Sequence, residues 1–162
     1  MADELGGIVG VLADSGVEVI LIGGLAAQAH GSARLTQDAD FVYSRSDANI
    51  ARLAEALAPF SAYLRGAPPG LPFRFDEATI RRGLNFTLTT TIGDVDFLGE
   101  VVGGGGYEEL FPHSVELIVF GRTIRVIDLP ALIRVKRAAG RPKDLDAVAE
   151  LEALLVEKER EG

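Results

Sequence analysis

Apolar side chains recur along this chain with two periods, and the alternation between them sets out its elements. In residues 3–14, Leu5, Ile8, Val9 and Leu12 follow helical spacing. VEVILI (17–22) is a β-branched run that predicts a buried strand. Gly23-Gly24 ends it, LAAQAH reads as a short helix, and DADFVY (38–43) predicts a second strand. NIARLAEALAPF (49–60) reads as a helix that Ser46 or Asp47 can cap. Residues 61–76, with Pro68, Pro69, Gly70 and Pro72, read as a loop.

The second half begins with two hairpins. NFTLTTT (85–91) and DVDFLGEV (94–101) turn at Ile92-Gly93, and VELIVFG and RTIRVID turn at Gly121. VVGGGGYEE between the hairpins reads as a flexible turn or hinge. Asp128 can cap a helix over 129–139, Gly140 can stop it, and Pro142 can start a last helix. No repeat or linker divides the chain, so a single domain over 1–162 is expected. Strands flanked by helices imply an α/β (α+β) class: a mixed sheet with the C-terminal helices, 129–160, packed on it.

Composition narrows the picture. The chain has 162 residues, no cysteine and a net charge of −8, from 16 basic and 24 acidic side chains. A domain of this length buries enough surface to fold without disulfides or a structural metal. The acidic balance argues against broad grip on a polyanion, which needs surplus Lys and Arg. One segment runs the other way: 134–143, RVKRAAGRPK, holds five cations and no acid, a pattern suited to a small or local anionic ligand. The longest apolar stretch, 17–29, is broken by Glu18, Gly23, Gly24 and Gln28, so no membrane span is expected. MADELGG lacks the basic start of a secretory signal. Together these point to the cytoplasm.

Chemistry concentrates in IGGLAAQAHGSARLTQDADF (22–41). Glycines between a buried strand and a helix let backbone approach a ligand closely, and a helix start offers free N–H groups to a phosphate. Asp38 and Asp40 alternate on one strand, so their side chains share a face. Carboxylates that close repel unless a cation neutralises them. A hard divalent ion, Mg²⁺ or Mn²⁺, suits oxygen ligands and a substrate phosphate. The plainer alternative is a glycine turn beside acids that solvate a strand entry. On the helix 129–139, Leu129, Leu132 and Ile133 form an apolar stripe whose next position is Lys136. An inward lysine either meets an anion or snorkels past the helix end.

Gly23-Gly24, then Arg34-x-Thr36, then Asp38-x-Asp40 resembles the front end of the DNA polymerase β-type nucleotidyltransferase superfamily, over residues 17–43. Within it, the minimal bacterial branch that includes abortive-infection and toxin-type enzymes is the most similar. The resemblance implies a third carboxylate on a later strand between apolar neighbours. Asp96, in Val95-Asp96-Phe97, meets that description better than Asp94, which the hairpin turn already explains. It further implies that Asp38, Asp40 and Asp96 are catalytic and hold the metal. Gly23, Gly24, Arg34, Thr36, Lys136 and Lys143 would face the nucleotide. Arg141-x-Lys143-Asp144 resembles an element of the toxin-like branch whose lysine contacts nucleotide phosphates.

The implied activity moves a nucleoside monophosphate from a nucleoside triphosphate to an acceptor hydroxyl on RNA, a protein or a small molecule. A small helical antitoxin or a second copy would be the partner. The alternative is a degenerate nucleotidyltransferase fold that binds a nucleotide or a partner protein without turnover.

Overall fold

The computed structural model describes residues 2–161, with the side chains of 5–161. It is a mixed α/β domain. In chain order it contains α1 (Ala2–Asp14), β1 (Val19–Ile22), α2 (Gly23–Ala29), β2 (Ala39–Tyr43), α3 (Asp47–Leu57) and β3 (Tyr63–Leu64). There follow α4 (Glu77–Arg82), β4 (Asn85–Thr90), β5 (Gly93–Leu98), α5 (Tyr107–Leu110), β6 (Ser114–Val119), β7 (Arg122–Ile127), α6 (Leu129–Ala139) and α7 (Pro142–Glu161). Among the described residues, no helix is long and apolar enough to cross a membrane.

The seven strands form one sheet in the order β3-β4-β5-β2-β1-β7-β6. β1 pairs antiparallel with β2 and parallel with β7, and β2 pairs parallel with β5. The two hairpins supply the flanks, as β4-β5 and β6-β7. β1 is buried at all four positions, which is why its sequence is an unbroken aliphatic run. On β5 the period-2 alternation separates Val95 and Phe97, both fully buried, from Asp94 and Asp96. Phe97 stacks on Phe41 at 6.0 Å and on Phe75 at 5.9 Å, so three aromatic rings fill the apolar side of the central strands.

Helix boundaries follow local chemistry. Ser46 accepts the Asn49 N–H and caps α3. Asp128 accepts the Ala131 N–H and caps α6, and Gly140 ends that helix at φ 67°. Asn49 is buried and joins three segments: its Oδ1 accepts the Glu18 N–H at 2.6 Å, and its Nδ2 donates to Glu18 O at 3.0 Å and Ser44 O at 2.8 Å.

Several expectations need correcting. The stretch 61–76 is not all loop, because β3 pairs with β4 inside it. The strand expected over 17–22 starts at Val19, and α3 stops at Leu57, where Ala58–Phe60 tightens to a 3₁₀ turn around Pro59. α2 begins directly at Gly23 rather than after the glycine pair. Residues 103–106 are a packed turn. A Cβ on Gly103 would lie 2.6 Å from the Ala138 Cβ on α6, and the Val101 N–H closes the turn on Gly105 O at 2.9 Å.

Removing the Asn49 side chain takes the partner from the part-buried Glu18 N–H and the buried Ser44 carbonyl, while Glu18 O keeps the Ser44 N–H at 3.1 Å. Asn49→Ala is expected to lower stability by about 2–3 kcal/mol in chemical denaturation. An unchanged midpoint and slope would mean that these bonds are replaced by water at no cost.

Candidate functional site

The parallel pairing of β2 with β5 sets Asp40 directly opposite Asp96. The two therefore project from the same face. Burial, foremost, pushes the Asp40 carboxyl up to about 7; the facing Asp96, through its charge and hydrogen bonding, and the Asp38 charge add to it, while Lys136 opposes. Asp38, just before β2, is exposed and has no side-chain partner among the described residues.

The glycines fit tightly around these groups. Gly23 has φ 71°, and a Cβ there would stand 2.5 Å from Asp40 Oδ2. A Cβ on Gly24 would stand 2.9 Å from the Thr36 side chain. Their first duty is thus to seat the protein's own Asp40 and Thr36. Thr36 Oγ1 in turn accepts the Asp38 N–H at 3.2 Å and shapes the approach to β2.

Two adjoining cavities, of about 240 and 270 Å³, meet at Asp38, Asp40, Lys136, Arg141, Lys143 and Asp144. One extends toward Gly24, Arg34 and Thr36. The other extends toward Gly23 and Asp96 and has an apolar wall of Leu98, Val101, Leu132 and Val135. All nine sequence-nominated residues line one or both cavities. A larger, open hollow of about 670 Å³ lies along α1 and α3, but three α1 glycines line it and its Asp14 is already held by Arg122 at 2.9 Å.

The basic residues differ in how free they are. Lys136 faces the cavities, as the apolar stripe of α6 implies, with Nζ 3.7 Å from Asp144. Asp144 is only 1% exposed and receives Arg141 through two bonds of 2.6 and 3.2 Å. The Arg141 hydrogen bonds are the main reason its carboxyl stays below the usual range. Lys143 is exposed and has no ion-pair partner among the described residues. Arg34 is engaged by Glu150 at 2.8 Å, and Ser32 bonds the same carboxylate, which fastens the segment before β2 to α7. His30 is a packing residue: its Nε2 donates to Ile127 O at 2.7 Å and its Nδ1 accepts from Lys158.

Arg65, Arg141 and Asp144 belong to the site but not to the nominated set. Arg141 and Asp144 lie inside the Arg-x-Lys-Asp segment and were within reach of sequence reasoning. Arg65 was not: it lies in a Pro- and Gly-rich stretch without periodicity. Its Nη2 donates to Asp96 at 2.8 Å, while Asp94 approaches the same guanidinium at 3.4 Å and lines neither cavity.

The donor set is all carboxylate oxygen, which suits a hard divalent cation. Among the described residues no three acids converge as a ready cage. Asp40 and Asp96 already face each other across the strand pair, however, and the charges of Asp96 and Asp38 add to the burial that raises the Asp40 carboxyl. Turning Asp38 inward and releasing Asp96 from Arg65 would complete three ligands. The chain matches no protein-family model, and no curated protein is significantly similar to it in sequence.

The Asp40 shift has a measurable sign. The folded state keeps a proton that the unfolded chain releases near pH 4, so this group's contribution is full below that pH and fades as pH rises toward 7. Without added metal, Asp40→Asn is therefore expected to match wild type near pH 4 and exceed it at pH 8, by roughly 2–4 kcal/mol. Thermal melts at the two pH values check this; a variant less stable than wild type at pH 8 contradicts it.

Proposed function

We propose that this protein is a metal-dependent nucleotidyltransferase, and the observation that carries the reading is the pairing register that sets Asp40 against Asp96 beside Asp38, facing Lys136, Arg141 and Lys143. Acids on a sheet opposite cations on helices form a site of split charge. A nucleoside triphosphate with a divalent ion has the matching distribution.

Asp38, Asp40 and Asp96 would hold Mg²⁺ or Mn²⁺. The bound ion would lower the charge on the reacting phosphate and steady the attacking and leaving oxygens. Lys143 and Lys136 take the β- and γ-phosphates. Arg141, pinned by Asp144, supplies a fixed positive charge close by. Gly23 leaves Asp40 room to reach the α-phosphate side of the cavity. The acceptor hydroxyl then attacks the α-phosphorus in line, its proton passes to Asp96, and pyrophosphate leaves toward the lysines. Positioning and preorganised charge supply most of the rate.

The acceptor is an RNA end, a protein hydroxyl or a small molecule, and the net charge of −8 weighs against a long polyanion. A small helical antitoxin or a second copy would complete the acceptor wall of so compact a domain. A cysteine-free chain drawing on cellular nucleotides and Mg²⁺ fits the cytoplasm.

One observation favours a second reading. Arg65 already neutralises Asp96, as expected of a nucleotidyltransferase fold that binds a nucleotide or partner without turnover.

Each labelled nucleoside triphosphate, incubated with the protein, Mg²⁺, total RNA and lysate, should give pyrophosphate and a labelled acceptor. Asp40→Asn should lower that rate by at least about 10³-fold, the scale of losing one preorganised charge at a phosphoryl centre. Nucleotide binding by calorimetry without any pyrophosphate would favour the non-catalytic reading. Lys143→Ala should raise KM for the nucleotide about tenfold and leave the melting temperature unchanged, the pattern of a solvent-facing phosphate contact. An unaltered KM would remove Lys143 from the nucleotide site.

A further inference from the structure

Arg65 stands just past β3, and its backbone N–H still pairs with β4 through Thr87 O at 3.0 Å. From that edge its side chain crosses β4 to reach β5. Nη2 donates both to Leu88 O at 2.7 Å and to Asp96 Oδ1 at 2.8 Å. Nε lies 3.4 Å from Asp94 Oδ2 but outside hydrogen-bonding geometry, and it is buried without an acceptor. Folded proteins seldom leave a buried guanidinium N–H unsatisfied. The guanidinium is therefore held by the charge of two acids at the expense of its own hydrogen bonding.

Asp96 consequently lies between two demands. On one side it faces Asp40 across the β2–β5 pair; on the other Arg65 holds it at 2.8 Å. A cation arriving between Asp40 and Asp96 meets a carboxylate already neutralised, and two cations on one carboxylate repel at such range. The Leu88 carbonyl gives the displaced guanidinium a second anchor, so it need not leave the neighbourhood.

We infer that Arg65 is the site's internal counter-ion: its guanidinium holds Asp96 in the cation-free protein, competes with the divalent ion for that carboxylate, and thereby sets the affinity for metal. This rests on the metal-binding reading above. It makes Arg65 a positioning residue that acts through Asp96, and it explains how three acids can remain near one another in a domain that has not yet taken up a cation.

The test is a Mn²⁺ titration of the full chain without nucleotide, with free Mn²⁺ read by electron paramagnetic resonance, on wild type, Arg65→Gln, Arg65→Lys and Asp40→Asn. Arg65→Gln should bind Mn²⁺ at least about tenfold more tightly than wild type, because a unit charge beside the ligand has gone. Arg65→Lys, which cannot span Leu88 O and Asp96 in the same way, should fall between them. It carries the test if Arg65→Gln melts at a much lower temperature. Equal or weaker Mn²⁺ binding by the folded Arg65 variants overturns the inference while leaving the metal site standing. No Mn²⁺ binding by any of the proteins, or wild-type binding that persists unchanged in Asp40→Asn, overturns both.

Discussion

Everything at this site follows from one contact: two carboxyl groups brought together by a parallel strand pair that has no freedom to slip. Asp40 faces Asp96 because Phe41 faces Phe97, and the stacked rings beneath make any other register expensive. A one-residue shift would bury the acids and expose the aromatics. The hydrophobic core thus imposes the electrostatic problem, and the surroundings answer it in three ways: a proton held on Asp40, a guanidinium on Asp96, and a lysine of α6 across the cavity.

The glycine pair illustrates how sterics and charge are joined here. Seen in sequence, Gly23-Gly24 invites a phosphate-binding interpretation. In the fold, both glycines leave space for side chains of the same chain, Asp40 and Thr36. The two roles are compatible, since backbone that lies this close to Asp40 also lies close to whatever Asp40 binds. The order of cause differs: accommodation of the acid comes first, and any contact with a ligand is built on it.

Much of the architecture was legible because it is periodic. The alternation on β5 separated Asp96 from Phe97, the hairpins announced themselves through their turns, and Asp128 and Gly140 bracketed α6. The inward position of Lys136 followed from the stripe Leu129, Leu132, Ile133. What escaped detection lacked periodicity. β3 is two residues long, too short to alternate, and it lies among prolines and glycines; with it went Arg65. α4 is a turn and a half of helix, whose Asp76 cap and single buried Ile80 leave little pattern to read. Asp144 lies in a charged stretch of α7, where one position says nothing about burial. Only the packing of α7 against α6 places it 1% exposed between Arg141 and Lys136.

The fastening of Ser32 and Arg34 to Glu150 has a consequence of its own. Because the chain just ahead of Asp38 hangs from α7, the acidic end of the site and the long helix rise and fall together. Fraying of α7 near Glu150 would slacken residues 31–38 well before the sheet itself gives way. The lifetime of the assembled pocket is then governed by a local opening of one helix, and amide protons on that helix and in the segment it holds should exchange as one cooperative unit.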